Sequence, residues 1–466
     1  MRLSGSRRAV RLTPRLAAVH ISKIMKRSFP QLTRLISLSL LLAASIPLRA
    51  AETKVLETKP ADPFFAKFEP LKAPAPSGLV LQRGDRLAII GDSITEQRKY
   101  SRIMETYLTV CVPELKITTR QFGWSGETAE GFLHRMTNDC LRFHPTIATT
   151  CYGMNDHRYR AFDEANGDWY RENYSAVARS LKASGARVIL GSAGCVGKTP
   201  RWAPNTNTPV EVLNLNLCAL RNIDIGIAEQ EQIGFADVFW PMLQADFTAR
   251  QKFGSDYAVC GQDGVHPDWA GHLIMAYTFL KAMGLNGDLG TFTVDLAANH
   301  ASATSGHHVD RFENNTLTLT STRYPFCATG APDKDNSLRS GMALVPFNAE
   351  LNRLRLIVKN GSAANYAVTW GNETRTYSAA QLADGVNLAE DFAVNPFSEA
   401  FGKVDAAVAE KQKYETRQIK DLFHGPEGRT DLNATAALTE ETRQPLVDKI
   451  AAAFVPVTHT IRIEPK

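Results

Sequence analysis

Between Arg86 and Gly284, short apolar runs alternate with stretches whose apolar residues recur at helical spacing. This alternation leaves few folds open. Leu87-Ala88-Ile89-Ile90 is the first strand candidate, and Ile117–Phe122, Thr146–Tyr152, Val188-Ile189-Leu190 and Phe235–Phe239 follow. Between them, Trp169, Tyr170, Tyr174, Val177 and Leu181 mark one helix and Val212–Glu229 another. Strands that are apolar throughout belong to parallel sheets covered on both faces, and such sheets bind ligands beyond the carboxyl ends of their strands.

After about Leu289 the pattern changes. Thr291-Phe292-Thr293-Val294, Thr316–Thr320, Leu354–Val358 and Tyr366–Trp370 alternate with period two and predict half-buried antiparallel strands. Asn360-Gly361 and Gly371-Asn372 are turn signals. Helices are expected over about Ala400–Phe423 and Glu440–Phe454, and His459–Ile463 is a last strand that returns to the sheet. The expected organisation is a leader over 1–50, an arm over 51–83, an α/β domain over 84–288, and a β-sandwich-like domain with helical additions over 289–466.

The leader changes the charge argument. The chain has 53 Lys and Arg against 48 Asp and Glu, but ten of the basic residues and none of the acidic ones lie in the first fifty positions. The remainder carries 43 basic and 48 acidic residues, a net charge of −5, so no basic stripe points to nucleic acid. The apolar run Leu35–Ile46 is short for a bilayer span, which takes roughly 20 residues. With its basic flank and Ala50 it reads as a secretory signal, with Met25 as an alternative start. The expected location is periplasmic or extracellular, and the oligomeric state is open. Seven cysteines occur without the two-residue spacing of a zinc site, so no metal, cofactor or bridge is assigned.

Four strings carry chemistry. Asp92 and Ser93 follow the first strand in Gly91-Asp92-Ser93, where a hydroxyl meets backbone N–H groups and a helix end, or where Ser93 simply caps that helix. Gly126 in Ser125-Gly126-Glu127-Thr128 and Asn155 in Gly153-Met154-Asn155-Asp156 are amide donors suited to an oxyanion, with plain turns as the alternative. Asp263 and His266 stand three apart in Asp263-Gly264-Val265-His266-Pro267, a spacing at which a turn brings a carboxylate to an imidazole. Asp92, Trp124, Tyr152 and Trp202 are candidate pocket walls. Arg158 and Arg160 read as solvated charges, His134, His144, His157 and His272 as surface or locally bonded groups, and His307-His308 as a surface loop.

In this order the strings resemble the SGNH, or GDSL-type, esterase and lipase family over roughly Arg86–Met283. The resemblance implies a three-layer α/β/α flavodoxin-like core and metal-free ester hydrolysis. It implies Ser93, Asp263 and His266 as the catalytic set, with Ser93, Gly126 and Asn155 around the oxyanion. Gln121 replaces the Asn that often opens the second string, which leaves Gly123 as a rival to Gly126. The added β-rich region and the leader suggest a secreted carbohydrate acetyl esterase. A lipase or lysophospholipase, a glycan-binding protein on an inactive core, and an adhesion protein are the alternatives.

Overall fold

The computed structural model describes residues 55–466, and the 1–50 leader lies outside them. Residues from Lys54 onward form one compact unit. Five parallel strands are ordered β2-β1-β3-β4-β5. They are β1 (Arg86–Gly91), β2 (Thr118–Gly123), β3 (Ile147–Cys151), β4 (Arg187–Gly191) and β5 (Gly234–Ala236). The fifth strand is shorter than expected. Phe239 instead opens a helix, since Val238 and Phe239 N–H groups turn onto the Ser192 hydroxyl.

Alternating side chains leave this sheet on opposite faces. Ile89, Ile147 and Ile189 enter one core with Ile103 and Met104 of α2 (Tyr100–Val110) and Phe279 of α7 (Trp269–Ala282). Ala88, Ile90, Ala148, Val188 and Leu190 enter a second core. There they meet Phe132 of α3 (Ala129–Asp139), Tyr170 and Tyr174 of α4 (Glu164–Ala183), and Leu220 and Ile223 of α5 (Val210–Glu231). The result is the expected α/β/α sandwich in flavodoxin-like order. The order reverses between β1 and β3, so the crevice lies where those two strands end. The leading arm is not loose. Phe65 and Phe68 are buried beside Trp240 of α6 (Phe239–Phe253).

Two further sheets follow, one ordered β13-β10-β6-β7 and one β12-β11-β14-β9-β8. The first contains β6 (Asp288–Asp295), β7 (His300–Ala303), β10 (Arg353–Lys359) and β13 (Val386–Asn387). The second contains β8 (His307–Glu313), β9 (Thr316–Ser321), β11 (Asn365–Trp370), β12 (Glu373–Ser378) and β14 (Val457–Pro465). Phe292, Leu317, Leu356, Val368 and Ile461 share one apolar core with the first face of the parallel sheet. One expectation fails here. β10 pairs with β6 in parallel, because the connection between them is a long crossover and not a hairpin. The expected loop at His307-His308 is likewise a strand start. His307 is buried, with Nδ1 2.8 Å from Ser321 Oγ and Nε2 2.8 Å from Leu289 O.

The C-terminal helices Ser398–Arg417 and Leu432–Ala453 cover β2, the edge of the parallel sheet. Lys411 Nζ donates to Thr119 O at 2.7 Å and lies 2.9 Å from both Glu105 and Glu415. Arg443 Nε donates to Glu415 at 2.7 Å, and the Gln121 N–H donates to the other Glu415 oxygen at 3.2 Å. Lys411 and Glu415 are almost wholly buried. Helix Ser398–Arg417 continues into a π-helical turn, Gln418–Phe423, a geometry often found beside functional sites.

Candidate active site

β1 delivers Asp92 and Ser93 to the sheet's carboxyl edge. Ser93 is not the helix cap. Asp92 is, and its Oδ1 accepts the Ile94 N–H at 2.9 Å, so Ser93 stands at the first helical position of the short helix Ser93–Glu96. Asp92 is therefore buried beneath the helix and forms no pocket wall. Burial, reinforced by Asp156 and Glu127 nearby and opposed by the Ile94 N–H, pushes its carboxyl up to about 7.

Ser93 Oγ lies 2.7 Å from Nε2 of His266, and Nδ1 of His266 lies 2.7 Å from Oδ2 of Asp263. The other carboxylate oxygen of Asp263 accepts the N–H groups of Val265 and His266, each at 2.9 Å. Partial burial works to raise the Asp263 carboxyl. The two N–H groups and the His266 ring outweigh it and leave it below the ordinary carboxylate range. Gly261 closes this turn at φ +80, where a Cβ would strike the His266 carbonyl oxygen at 1.7 Å.

The second string follows β2. Trp124 N–H donates to Gly91 O at 3.0 Å, and Ser125 donates its N–H at 2.5 Å and its hydroxyl at 2.7 Å to Glu96. Glu96 is held in turn by Lys420 Nζ at 2.8 and 2.9 Å. The Gly123 N–H donates to Gln121 Oε1 at 2.8 Å. Gly126 sits exposed at φ +75 with open space where a side chain would be, and its N–H has no acceptor among the described residues. Gly126, not Gly123, is thus the available donor. Gln121 also donates to Thr416, so the residue that departs from the usual string ties the loop to the C-terminal helices.

The third string follows β3. Asn155 Nδ2 donates one hydrogen to Glu127 O at 2.9 Å, which leaves the second for a ligand. Asp156 accepts the Ala129 and Gly153 N–H groups, each at 2.9 Å, and so joins the two donor loops. Tyr152 is core and not pocket wall, because it is fully buried with its hydroxyl on Glu127 at 2.7 Å. Trp124 is half-buried, with His424 at 4.9 Å and the Arg135 and Lys420 cations at 5.0 and 5.2 Å. Trp202 is exposed, and its ring centre lies 5.6 Å from that of His266. Arg158 lies over Trp169 and Arg160 pairs with Asp163. Among the described residues no group of three or more metal-ligating side chains converges. No helix among them is long and apolar enough to cross a membrane.

The sequence pattern of the GDSL-like Lipase/Acylhydrolase family matches residues 89–274. This chain carries a GDSL-like acylhydrolase domain. The domain is that of an esterase. An acetylxylan esterase of Geobacillus stearothermophilus is 26% identical over 219 residues, 43% of this chain and 94% of its own length. A gut microbial diltiazem-metabolizing enzyme shares the fold over 84% of this chain and 100% of its own, with a TM-score of 0.67 at 21% identity. A crystal structure of the G. stearothermophilus acetylxylan esterase Axe2 matches 44% of this chain and 96% of its own, with a TM-score of 0.36 at 21% identity.

Sequence reading missed Lys420, which holds Glu96, and His424, which meets Trp124, since residues some three hundred positions apart leave no local pattern. It read His157 and His272 as surface or locally bonded groups; both are fully buried, and of the two His157 makes a local bond. His157 Nδ1 lies 2.5 Å from Met154 O, and burial lowers the ring's pKa to about 4. A depressed histidine makes stability complete above its unfolded value of about 6.5, and that stability is lost as pH falls toward 4. Wild type should therefore lose up to roughly 3 kcal/mol more than His157→Gln between pH 7.5 and 4. Denaturant titrations at the two pH values check this, and parallel losses would contradict it.

Proposed function

We propose that this protein is an exported serine esterase that removes acetyl groups from carbohydrate through an acyl-serine intermediate. The observation that carries the catalytic part is the unbroken line Ser93 Oγ, His266 and Asp263, with both separations at 2.7 Å. In this reading Ser93 attacks the ester carbonyl and its proton passes to His266 Nε2. The developing oxyanion takes the N–H groups of Ser93 and Gly126 and the second hydrogen of Asn155 Nδ2. Asp263 fixes the imidazole's tautomer and stabilises its charged form. His266 then gives the proton to the leaving alcohol. Water, deprotonated by the same nitrogen, releases the acid and restores Ser93.

Support for a carbohydrate substrate is twofold. The acetylxylan esterase relative aligns over 94% of its length. Among the described residues Trp202 is the only exposed large apolar side chain placed against the catalytic imidazole, which suits a sugar better than a long acyl chain. The basic, apolar leader supports export.

Brief exposure to a fluorophosphonate should add one label, on Ser93, and acetyl should be released from acetylated xylan faster than long acyl chains from a lipid ester. Label elsewhere would remove Ser93 from the mechanism, and the opposite preference would favour a lipase. Asn155→Ala should lower kcat by about 10²–10³-fold, with a small change in KM, because its hydrogen bond strengthens as the oxyanion forms. Steady-state kinetics on an aryl acetate measure this, and an unchanged kcat would exclude Asn155 from the oxyanion site.

A further inference from the structure

We propose that Trp202 is the platform for the alcohol half of the ester, and that it takes the flat C–H face of a pyranose ring. The inference rests on the acyl-serine reading above and adds the substrate's orientation to it. Large apolar side chains are exposed at only a few places among the described residues, and Trp202, at 47% exposure, is the one aromatic among them. It is not a loose surface residue. Its edge meets Tyr159, itself buried, in a T-shaped contact with ring centres 6.2 Å apart and planes at 87°.

The loop that carries Trp202 is anchored at its base. Val196 exchanges two hydrogen bonds with the Asn214 side chain, each 2.8 Å. The Gly197 N–H donates to Gly264 O at 2.9 Å, and Thr199 Oγ1 donates to Thr208 O at 2.6 Å. Gly264 lies between Asp263 and His266, so the platform and the catalytic turn are fastened to each other. At φ +85, a Cβ on Gly264 would strike Lys198 O at 2.3 Å, so the two loops meet backbone to backbone.

Orientation follows from where the proton goes. In the acylation step the carbonyl oxygen turns to the Gly126 and Asn155 amides. The alcohol oxygen must reach His266 Nε2, the only group that can return the proton. Whatever is attached to that oxygen lies on the imidazole side, where the Trp202 ring stands 5.6 Å from the His266 ring. An exposed indole offers a broad apolar face with an N–H at its rim. A pyranose matches this, since its C–H face is apolar and its rim is hydroxyls. An acyl chain bound toward the oxyanion loops does not touch it.

The test compares three acetates that form the same acetyl-enzyme, namely a methyl acetyl-xyloside, cyclohexyl acetate and ethyl acetate. They are assayed with wild type, Trp202→Ala and Trp202→Phe. Trp202→Ala should lower kcat/KM on the xyloside by about 10-fold through KM, lower it less on cyclohexyl acetate, and leave ethyl acetate within about twofold. Trp202→Phe should restore most of the loss. Equal losses on all three esters, or no loss on the two cyclic ones, would overturn the platform. A wild type that hydrolyses cyclohexyl and ethyl acetate but not the xyloside would sink the carbohydrate reading and, with it, the pyranose assignment. The cyclohexyl-to-ethyl ratio would still show whether Trp202 holds a ring at all.

Discussion

Ser93→Ala should lower ester hydrolysis by about 10⁴–10⁶-fold while leaving the thermal unfolding midpoint within a degree or two. The size follows from the roles that converge on one atom. In the proposed mechanism Ser93 Oγ forms the bond to the acyl group, and its contact with His266 Nε2 gives the imidazole a proton to accept. Without it, only the oxyanion donors and general binding remain, and water must attack unaided. The small structural effect follows from Asp92, not Ser93, capping the helix, so removing the hydroxyl unmakes no cap. Burst and steady-state kinetics with an aryl acetate, together with circular dichroism melts, decide the matter. Residual activity above about one part in a hundred would show that another nucleophile acts.

Glu415→Gln should cost about 3–5 kcal/mol of folding stability, the range expected when one member of a buried ion cluster is neutralised. Glu415 takes Lys411 and Arg443 on one oxygen and the Gln121 N–H on the other. Burial alone would raise its carboxyl, but Lys411, Arg443 and Arg120 hold it below the ordinary range. With a neutral amide there, Lys411 keeps Glu105 and Arg443 keeps the distant edge of Glu440 at 3.8 Å as their remaining carboxylate partners among the described residues, and both still donate to Thr119 O. The same depressed carboxyl contributes stability that is present above the ordinary carboxylate value and lost as pH falls through its lowered one. Urea titrations of wild type and variant at pH 7.5 measure the difference. A change below about 1 kcal/mol would mean that water reaches the cluster.

The parallel core was legible because its signals are local. Leu87–Ile90 is apolar on both faces, and the turn glycines and catalytic strings follow the strands directly. Asp263 and His266 could be paired on paper because only two residues, in a turn, separate them. What remained hidden depends on distance in sequence. The pairing of Lys411, Glu415 and Arg443 looks like an ordinary solvated helix face until β2 is placed beside it. The burial of His157 and His272 is set by packing from helices that no single string announces. The parallel pairing of β10 with β6 escaped for a related reason, since alternation reveals which face a strand buries but not the direction of its neighbour. Tyr152 shows the converse error. An aromatic beside a catalytic string invites a binding role, and here it is engaged by Glu127 inside the core.

The position of β14 has a consequence for biogenesis. It lies between β11 and β9, pairing antiparallel with both, and so occupies the middle of its sheet. Until residue 465 has been synthesised, β9 and β11 each present an open edge of unpaired N–H and C=O groups with nothing between them. At ribosomal speeds of about 5–20 residues per second, the stretch from β9 to β14 takes roughly 7–30 s to appear. A nascent chain is exposed to mispairing throughout that interval. This half of the molecule can therefore close only after β14 has been synthesised, whereas the five parallel strands can assemble well before.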